Sequence, residues 1–165
     1  TVFTVTATIA CTCGETSHAH TRDFTVTVKA TTPAGSVTLP ASISFTNDDS
    51  RTEISTTKQV WIANGITLTN LKGSSSTATN NAGNNAGHIR CYASSSLKIG
   101  CEVAFKKIVF TCTASKYNIS NEITGATKSV SGTTVTYTFT EAVKSLEITK
   151  LSAQVRITEI VISAE

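Results

Sequence analysis

The sequence is poor in the residues on which membrane spans and nucleic-acid contacts depend. Charged residues make up 15% of the chain and aromatic residues 6%, and methionine is absent. No run approaches the roughly 18 to 20 consecutive apolar residues that a membrane-spanning helix needs, so membrane insertion is not expected. The net charge is +3, and the lysines are scattered singly apart from Lys106-Lys107. Nucleic acid is therefore not an expected partner.

Signature motifs of the common enzyme classes are also missing. There is no G-x-S-x-G nucleophile elbow, no P-loop, no dinucleotide fingerprint and no H-E-x-x-H metal motif. The 11 Asp and Glu residues fall mostly near turns or on outward strand positions. We therefore expect a protein that is not an enzyme and that needs no cofactor for catalysis.

Threonine is the residue that the chain has in excess, at about a fifth of the 165 positions. This composition is typical of secreted β proteins and not of helical ones. The length suits one ordinary domain, or one domain plus a fragment of another. Because Met is absent and Thr1 opens directly on a strand pattern, we expect a segment of a longer polypeptide, covalently linked to further domains.

The first 30 residues predict a β-hairpin. From Phe3 to Cys13 apolar residues alternate mainly with threonine, which is the period of a strand with one buried face. Gly14 to Ser17 predict a turn, and Phe24 to Val28 a returning strand. The wording T-A-T-I-x-C…F-T-V-T-V-K-A resembles the last two strands of a bacterial immunoglobulin-like repeat. The resemblance implies an Ig-like hairpin, or a partial repeat, over residues 1–30.

Residues 31–35, T-T-P-A-G, predict a linker because they combine Pro and Gly with little apolar content. For residues 36–165, eight strand-like segments without a helical period predict an antiparallel β-sandwich of jelly-roll type. The segments are Val37–Phe45, Gln59–Leu71, His88–Tyr92, Ser96–Cys101, Phe105–Cys112, Thr133–Thr140, Ser145–Thr149 and Gln154–Ile162. A short helical turn is expected at Tyr117–Ile123, and the Asn-rich stretch Gly73–Gly87 is expected to be a functional or mobile loop.

The block from Val60 to Thr113 carries a second resemblance. It reads V-W-I-A-N-G-I-T-L-T-N-L-K-G, then an Asn/Gly-rich loop, then H-I-R-C-Y-A-S-S-S-L-K-I-G and F-K-K-I-V-F-T-C-T. It is similar to secreted β-sandwich modules, of the kind of carbohydrate-binding modules, in large surface proteins of gut and related anaerobic bacteria. Such modules are accessories without catalysis.

That resemblance implies an extracellular or cell-surface domain, expected to be a monomer, that binds a polysaccharide or glycan and tethers a larger protein to it. The alternative is a structural spacer or adhesin domain that binds no glycan. An immunoglobulin-like hairpin and few aromatic residues favour this alternative. Fold analogy does not by itself decide between them.

Glycan binding requires aromatic faces that pack on sugar C–H groups, flanked by polar side chains for the hydroxyls. The candidates are Trp61, Arg90, Tyr92 and Tyr117. Tyr92 shares a strand face with Arg90, and Tyr117 lies in a predicted loop beside Lys116. Trp61 is the one tryptophan and starts a strand, where burial and exposure both stay open.

The segment C-T-C-G-E-T-S-H-A-H holds a candidate zinc site at Cys11, Cys13, His18 and His20. If Gly14 to Ser17 form a four-residue loop, Cys13 faces His18 and Cys11 faces His20, so four zinc ligands converge. The C-x-C-x₄-H-x-H spacing is not the usual structural-zinc pattern, and ordinary hairpin residues are the simpler interpretation.

A candidate calcium site is the acidic turn at Asp48 and Asp49, together with Asn47 and Glu53. Oxygen donors gathered in one loop suit Ca²⁺, and sandwich domains often carry a structural calcium ion. The run lacks the register of an EF-hand, and a solvated acidic turn is the favoured interpretation.

The five cysteines, at positions 11, 13, 91, 101 and 112, cannot all pair with one another. Small buried thiols are the simplest interpretation, since a chain of this length folds without disulfides. Cys112 follows Ile108 and Phe110 on one strand face and is predicted to be buried. Cys91 and Cys101 flank a predicted turn, and the sequence does not decide whether they form a disulfide.

Overall fold

A computed structural model describes residues 2–13, 16–27, 37–45, 50–79, 87–114, 116 and 119–165. For residues 2–27 the description is confined to the backbone. The chain divides into two compact units, Thr1–Gly35 and Ser36–Glu165. All regular secondary structure in the described ranges is β-strand apart from a single residue, and every strand pair is antiparallel. The prediction of an all-β, antiparallel protein is confirmed.

The first unit contains a hairpin of two long strands, β1 (Val2–Cys13) and β2 (Thr16–Thr27). Pairing runs without interruption from Val2 opposite Thr27 to Cys13 opposite Thr16. The predicted hairpin is confirmed, but its connection spans two residues and not four. Two-residue connections fit the twist of paired strands better than longer ones, so pairing extends to the tip.

The described part of the second unit contains nine strands. They are β3 (Ala41–Ser44), β4 (Arg51–Ile54), β5 (Lys58–Ala63), β6 (Ile66–Leu71), β7 (Ile89–Cys91), β8 (Ser96–Cys112), β9 (Ala126–Ser131), β10 (Thr134–Ile148) and β11 (Val155–Ser163). They form one sheet in the order β3-β11-β8-β6-β5-β4, with β7 also paired to β11, β10 also paired to β8, and β9 paired to β10. This sheet curls into a half-barrel.

Strand β8 is the longest and pairs along both edges. Its first half, Ser96–Cys101, pairs with β6, and Lys107–Cys112 pairs with β11. On the other edge β10 follows both halves, with register shifts between Thr138 and Ser145. Such irregularities bend a strand and increase its twist, so the sheet can turn around its own core. The sequence predicted separate strands in each case, because these bends interrupt the apolar alternation.

The core is built from the inward positions of these strands. Val135, Tyr137 and Phe139 are all buried, as their period-two spacing predicts. Tyr137 packs edge-on against Phe110 with ring centroids 6.1 Å apart, and its hydroxyl donates to the Asn121 carbonyl at 2.8 Å. The prediction that Cys112 is buried is also confirmed.

The prediction of one strand over Gln59–Leu71 was wrong, since this segment forms the hairpin of β5 and β6. Two further strands were absent from the prediction. Strands β4 and β9 each pair with one neighbour in the described part of the sheet, and most of their side chains are exposed. A strand at a sheet edge needs no regular apolar face, so its sequence carries little of the alternation by which strands are predicted. The predicted helical turn is not observed at Ile119–Ile123, and the preceding two residues lie outside the described part.

Asn64 and Gly65 form the tight turn between β5 and β6. Their φ angles are 51° and 74°, the positive values that a two-residue type I′ hairpin turn requires. The Asn64 amide donates to the Ser42 carbonyl at 2.9 Å, which ties the turn to β3. Val37 packs so closely on Gly65 that a Cβ atom there would overlap its side chain. The turn therefore also closes the core between β3 and the β5–β6 hairpin.

We predict that Gly65→Ala lowers the free energy of unfolding more than Gly125→Ala. The two glycines have nearly equal φ angles, 74° and 78°, so both variants carry the cost of about 1–2 kcal/mol for a side chain in that region. Space is open around Gly125, whereas the methyl at Gly65 meets Val37. Overpacking adds about 1–3 kcal/mol. Urea unfolding measures both values, and equal losses would contradict the packing role.

Candidate functional site

Two arginines stand opposite each other on β7 and β11. Arg90 is the register partner of Arg156. The Arg156 N–H donates to the Lys116 carbonyl at 2.9 Å, and its carbonyl accepts from the Thr113 N–H at 2.9 Å. Because the backbone groups of Arg156 point toward the β8 side, Arg90 and Arg156 form a non-hydrogen-bonded pair. The Cα atoms of such pairs lie about 4.5 Å apart, so the two side chains start from neighbouring points.

The outer face of the sheet carries this pair. Ile89, Cys91, Val155 and Ile157, which flank the two arginines along their strands, are 0% exposed and point into the core. Side chains alternate along a strand, so the arginines point outward, where they are partly buried. Thr113 follows Cys112, the register partner of Ile157, and therefore lies beside Arg156 on the outer face. We call Arg90, Arg156 and Thr113 the arginine row.

Each member of the arginine row has a buried polar atom that lacks a hydrogen-bond partner within the described structure. These atoms are Arg90 Nε, Arg156 Nε and Thr113 Oγ1. The salt bridges among the described residues join Lys58 to Glu53 and Lys128 to Glu122, so neither arginine is neutralised by a described carboxylate. Like charges directly opposite each other destabilise a sheet. The three atoms themselves are covered, but both arginine side chains remain partly exposed, so a ligand from outside can reach the exposed parts of the pair.

Tyr92 lies close to the row in sequence. It comes two residues after Arg90 and is partly buried. The turn that follows it is fixed, since the Ser94 N–H donates to the Leu151 carbonyl and the Leu151 N–H to the Ser95 carbonyl, both at 2.8 Å. The structure thus places the predicted Arg90 beside Arg156, while Tyr92 lies two residues farther along the same segment. Tyr117 lies outside the described residues.

Sequence reasoning missed Arg156 and Thr113. The alternation in Q-V-R-I-T puts Arg156 on an outward position, and that signal was readable. What the sequence does not specify is that β7 pairs with β11, which brings the two arginines together from distant segments.

Trp61 is in the core and not at the surface. Its exposure is 0%, and its ring meets Phe45 edge-on with centroids 5.9 Å apart. The predicted role of Trp61 as a sugar-binding platform is therefore wrong, because a fully covered ring cannot pack on a ligand. Gln59, Val60 and Trp61 are all buried, so an alternation of apolar and polar residues could not show which side of the strand faces the core.

We predict that Trp61 fluoresces at the short wavelengths of a buried indole and resists quenching by iodide. Burial among core side chains excludes both water and the ion. Emission and quenching are measured in buffer and in urea, where unfolding should shift the emission to longer wavelength and admit the quencher. Strong iodide quenching of the folded protein would contradict this placement.

The first part of the predicted Gly73–Gly87 loop is tied to the sheet. The Gln59 side-chain amide donates to the Thr79 carbonyl, and Thr79 Oγ1 donates to the Ser55 carbonyl at 2.7 Å. The Ser74 N–H donates to the Ser94 carbonyl at 3.1 Å, so this segment adjoins the turn after Tyr92. Residues 80–86 lie outside the described part.

The hairpin register differs from the one on which the zinc hypothesis rests. Cys11 faces His18, Cys13 faces Thr16, and His20 faces Ile9. The predicted opposition of Cys13 with His18 and of Cys11 with His20 is wrong, because pairing continues to the hairpin tip. The side chains of this set lie outside the described part, so zinc binding itself stays a hypothesis.

For calcium, Asp48 and Asp49 likewise lie outside the described residues. Glu53 forms a salt bridge with Lys58 at 2.8 Å. Among the residues whose side chains are described, no group of three or more His, Cys, Asp and Glu is placed to hold a metal ion.

Cys91, Cys101 and Cys112 are buried free thiols, so Cys91 and Cys101 form no disulfide. Burial raises the pKa of Cys91, and neighbouring Cys112 adds to the rise. Burial also raises the pKa of Cys112, to about 12. Both thiols are neutral at physiological pH and offer neither a nucleophile nor a thiolate ligand.

We predict that Cys91 and Cys112 escape alkylation by iodoacetamide in the folded protein at pH 8 and react in urea, as read by peptide mass spectrometry. The Cys112 pKa rises from 9.0 to about 12 on folding, so this thiol stabilises the fold below pH 9 and less so between pH 9 and 12. The stability difference between wild type and Cys112→Ala should therefore narrow with rising pH. A constant difference would contradict the raised pKa.

Comparisons with family profiles, curated proteins and solved structures found no match to this chain. The resemblances to bacterial surface modules and to an immunoglobulin-like repeat therefore stay predictions. In the described ranges, no helix has the length and apolar content to cross a membrane.

Proposed function

We propose that the chain is a non-catalytic accessory domain that binds carbohydrate on the outer face of its sheet, at the arginine row and Tyr92. The observation that carries this proposal is the pair of directly opposed and partly exposed arginines on the outer face, whose guanidinium groups are donors, with Tyr92 two residues after Arg90. Sugars supply oxygen acceptors for such donors and C–H faces for the ring.

The row is well placed for binding because it stands on paired strands. β7 and β8 are both hydrogen-bonded to β11, so the positions of Arg90, Arg156 and Thr113 are set by the sheet. A site that is already ordered loses less conformational entropy when a ligand binds.

The surface next to the row suits an extended chain. Thr111 precedes Thr113 on the same face of β8 and lies opposite Thr134 on β10, and both side chains are partly exposed. Hydroxyl groups therefore continue the polar surface from β8 onto β10. A polysaccharide that starts at the arginine row would find further hydrogen-bonding groups along this face.

A structural spacer without a glycan ligand is the second candidate. Among the described aromatic side chains, Tyr92 alone lies outside the buried set, since Trp61 and Tyr137 belong to the core. A glycan-binding surface with one described aromatic residue is small, and a spacer needs none.

The proposal predicts binding to at least one polymer on a polysaccharide array. Tyr92→Ala should weaken that binding about tenfold, since loss of an aromatic contact costs roughly 1.5 kcal/mol. Ile62→Ala is the matched control, because it removes an apolar side chain that is 49% exposed on β5, away from the row. Calorimetric titration measures both variants. If a folded protein retains no polymer on the array, the spacer is the better assignment.

A further inference from the structure

The arginine row also bears on the charge of the ligand. Resting on the proposed function, we infer that the ligand is an acidic glycan, whose carboxylate or sulfate groups are bound between Arg90 and Arg156.

The first argument is the unbalanced charge of the arginine pair. Two guanidinium groups extend from directly opposed positions, and no described carboxylate forms a salt bridge with either. A neutral sugar would supply acceptors for the hydrogen bonds but would leave the repulsion between the two cations in place. An anionic group satisfies both demands, because each arginine forms a charge-assisted hydrogen bond with it.

The second argument is the type of cation. A guanidinium presents a planar fork that matches carboxylate and oxyanion groups, and it is more weakly hydrated than an ammonium. Both Nε atoms are covered in the folded protein, so an anion would bind the parts of the two guanidinium groups that remain exposed.

The charges around the row leave room for an anion. Lys116 is exposed, and its carbonyl is bonded to the Arg156 N–H. Glu159 is the acidic residue at the next outward position along β11, and it lies opposite Ser44 and Thr111. Glu159 forms no salt bridge with either arginine within the described structure, so it does not neutralise the pair.

The test compares each acidic polymer with a neutral form of the same backbone. Polygalacturonate is compared with its methyl-esterified form, and dextran sulfate with dextran, by calorimetric titration of the whole chain. We expect at least one acidic polymer to bind at least tenfold more tightly than its neutral counterpart, and to bind more weakly as salt is added. The two pairs distinguish carboxylate from sulfate as the preferred group.

Substitutions of the two arginines test whether this pair causes the preference for the acidic polymer. Arg90→Gln and Arg156→Gln should each weaken binding of the acidic polymer at least tenfold and reduce the difference in affinity between the acidic and neutral forms. Arg156→Lys keeps the charge without the fork and should retain part of the preference. Lys98→Gln is the control, because it removes one positive charge from an exposed position on the first half of β8.

The outcomes separate this inference from the function on which it rests. Equal binding of the charged and neutral forms would overturn the acidic ligand while supporting carbohydrate binding. Retention of neither form, nor of any other glycan, would overturn both. The comparison of polymers on the wild-type protein decides the matter even if an arginine variant does not fold.

Discussion

The double pairing of β8 is the constraint on which the rest of the structure depends. Its first half holds β6 and its second half holds β11, while β10 accompanies both. Through β11 the strand also fixes β3 and β7, so the arginine row stands where it does because β11 docks on β8. A backbone ladder of this length supplies many hydrogen bonds at once and leaves few buried groups unpaired.

Much of the core was predictable, because burial repeats every second residue along a strand. The inward positions of β10 and of the second half of β8 follow that period and were assigned correctly. The continuity of β8 and β10 was not predictable. The alternation of apolar and polar residues fails where each strand bends, so the sequence of one strand reads as two. Edge strands were missed because their side chains lie mostly in solvent and keep no apolar pattern.

One part of the site could be predicted from local sequence, and the other part depends on long-range strand pairing. Arg90 and Tyr92 share a face by local period, so their association was readable. The partnership with Arg156 and Thr113 depends on which strands become neighbours, and no short pattern encodes that choice. Trp61 illustrates the opposite error, since a large aromatic residue attracts a functional interpretation while its volume serves equally well to fill the space beside Phe45.

The charged residues on the edge strands β4 and β9 affect whether neighbouring copies of the domain associate. A strand that pairs on one side only can template the addition of another chain, and charged side chains are the usual protection. Strand β4 carries Arg51 and Glu53, and β9 carries Lys128. These charges flank the exposed Ile54 and Val130 and oppose the approach of a second sheet. Copies of this domain at high concentration would therefore remain separate, even though nearly all regular secondary structure in its described residues is β-strand.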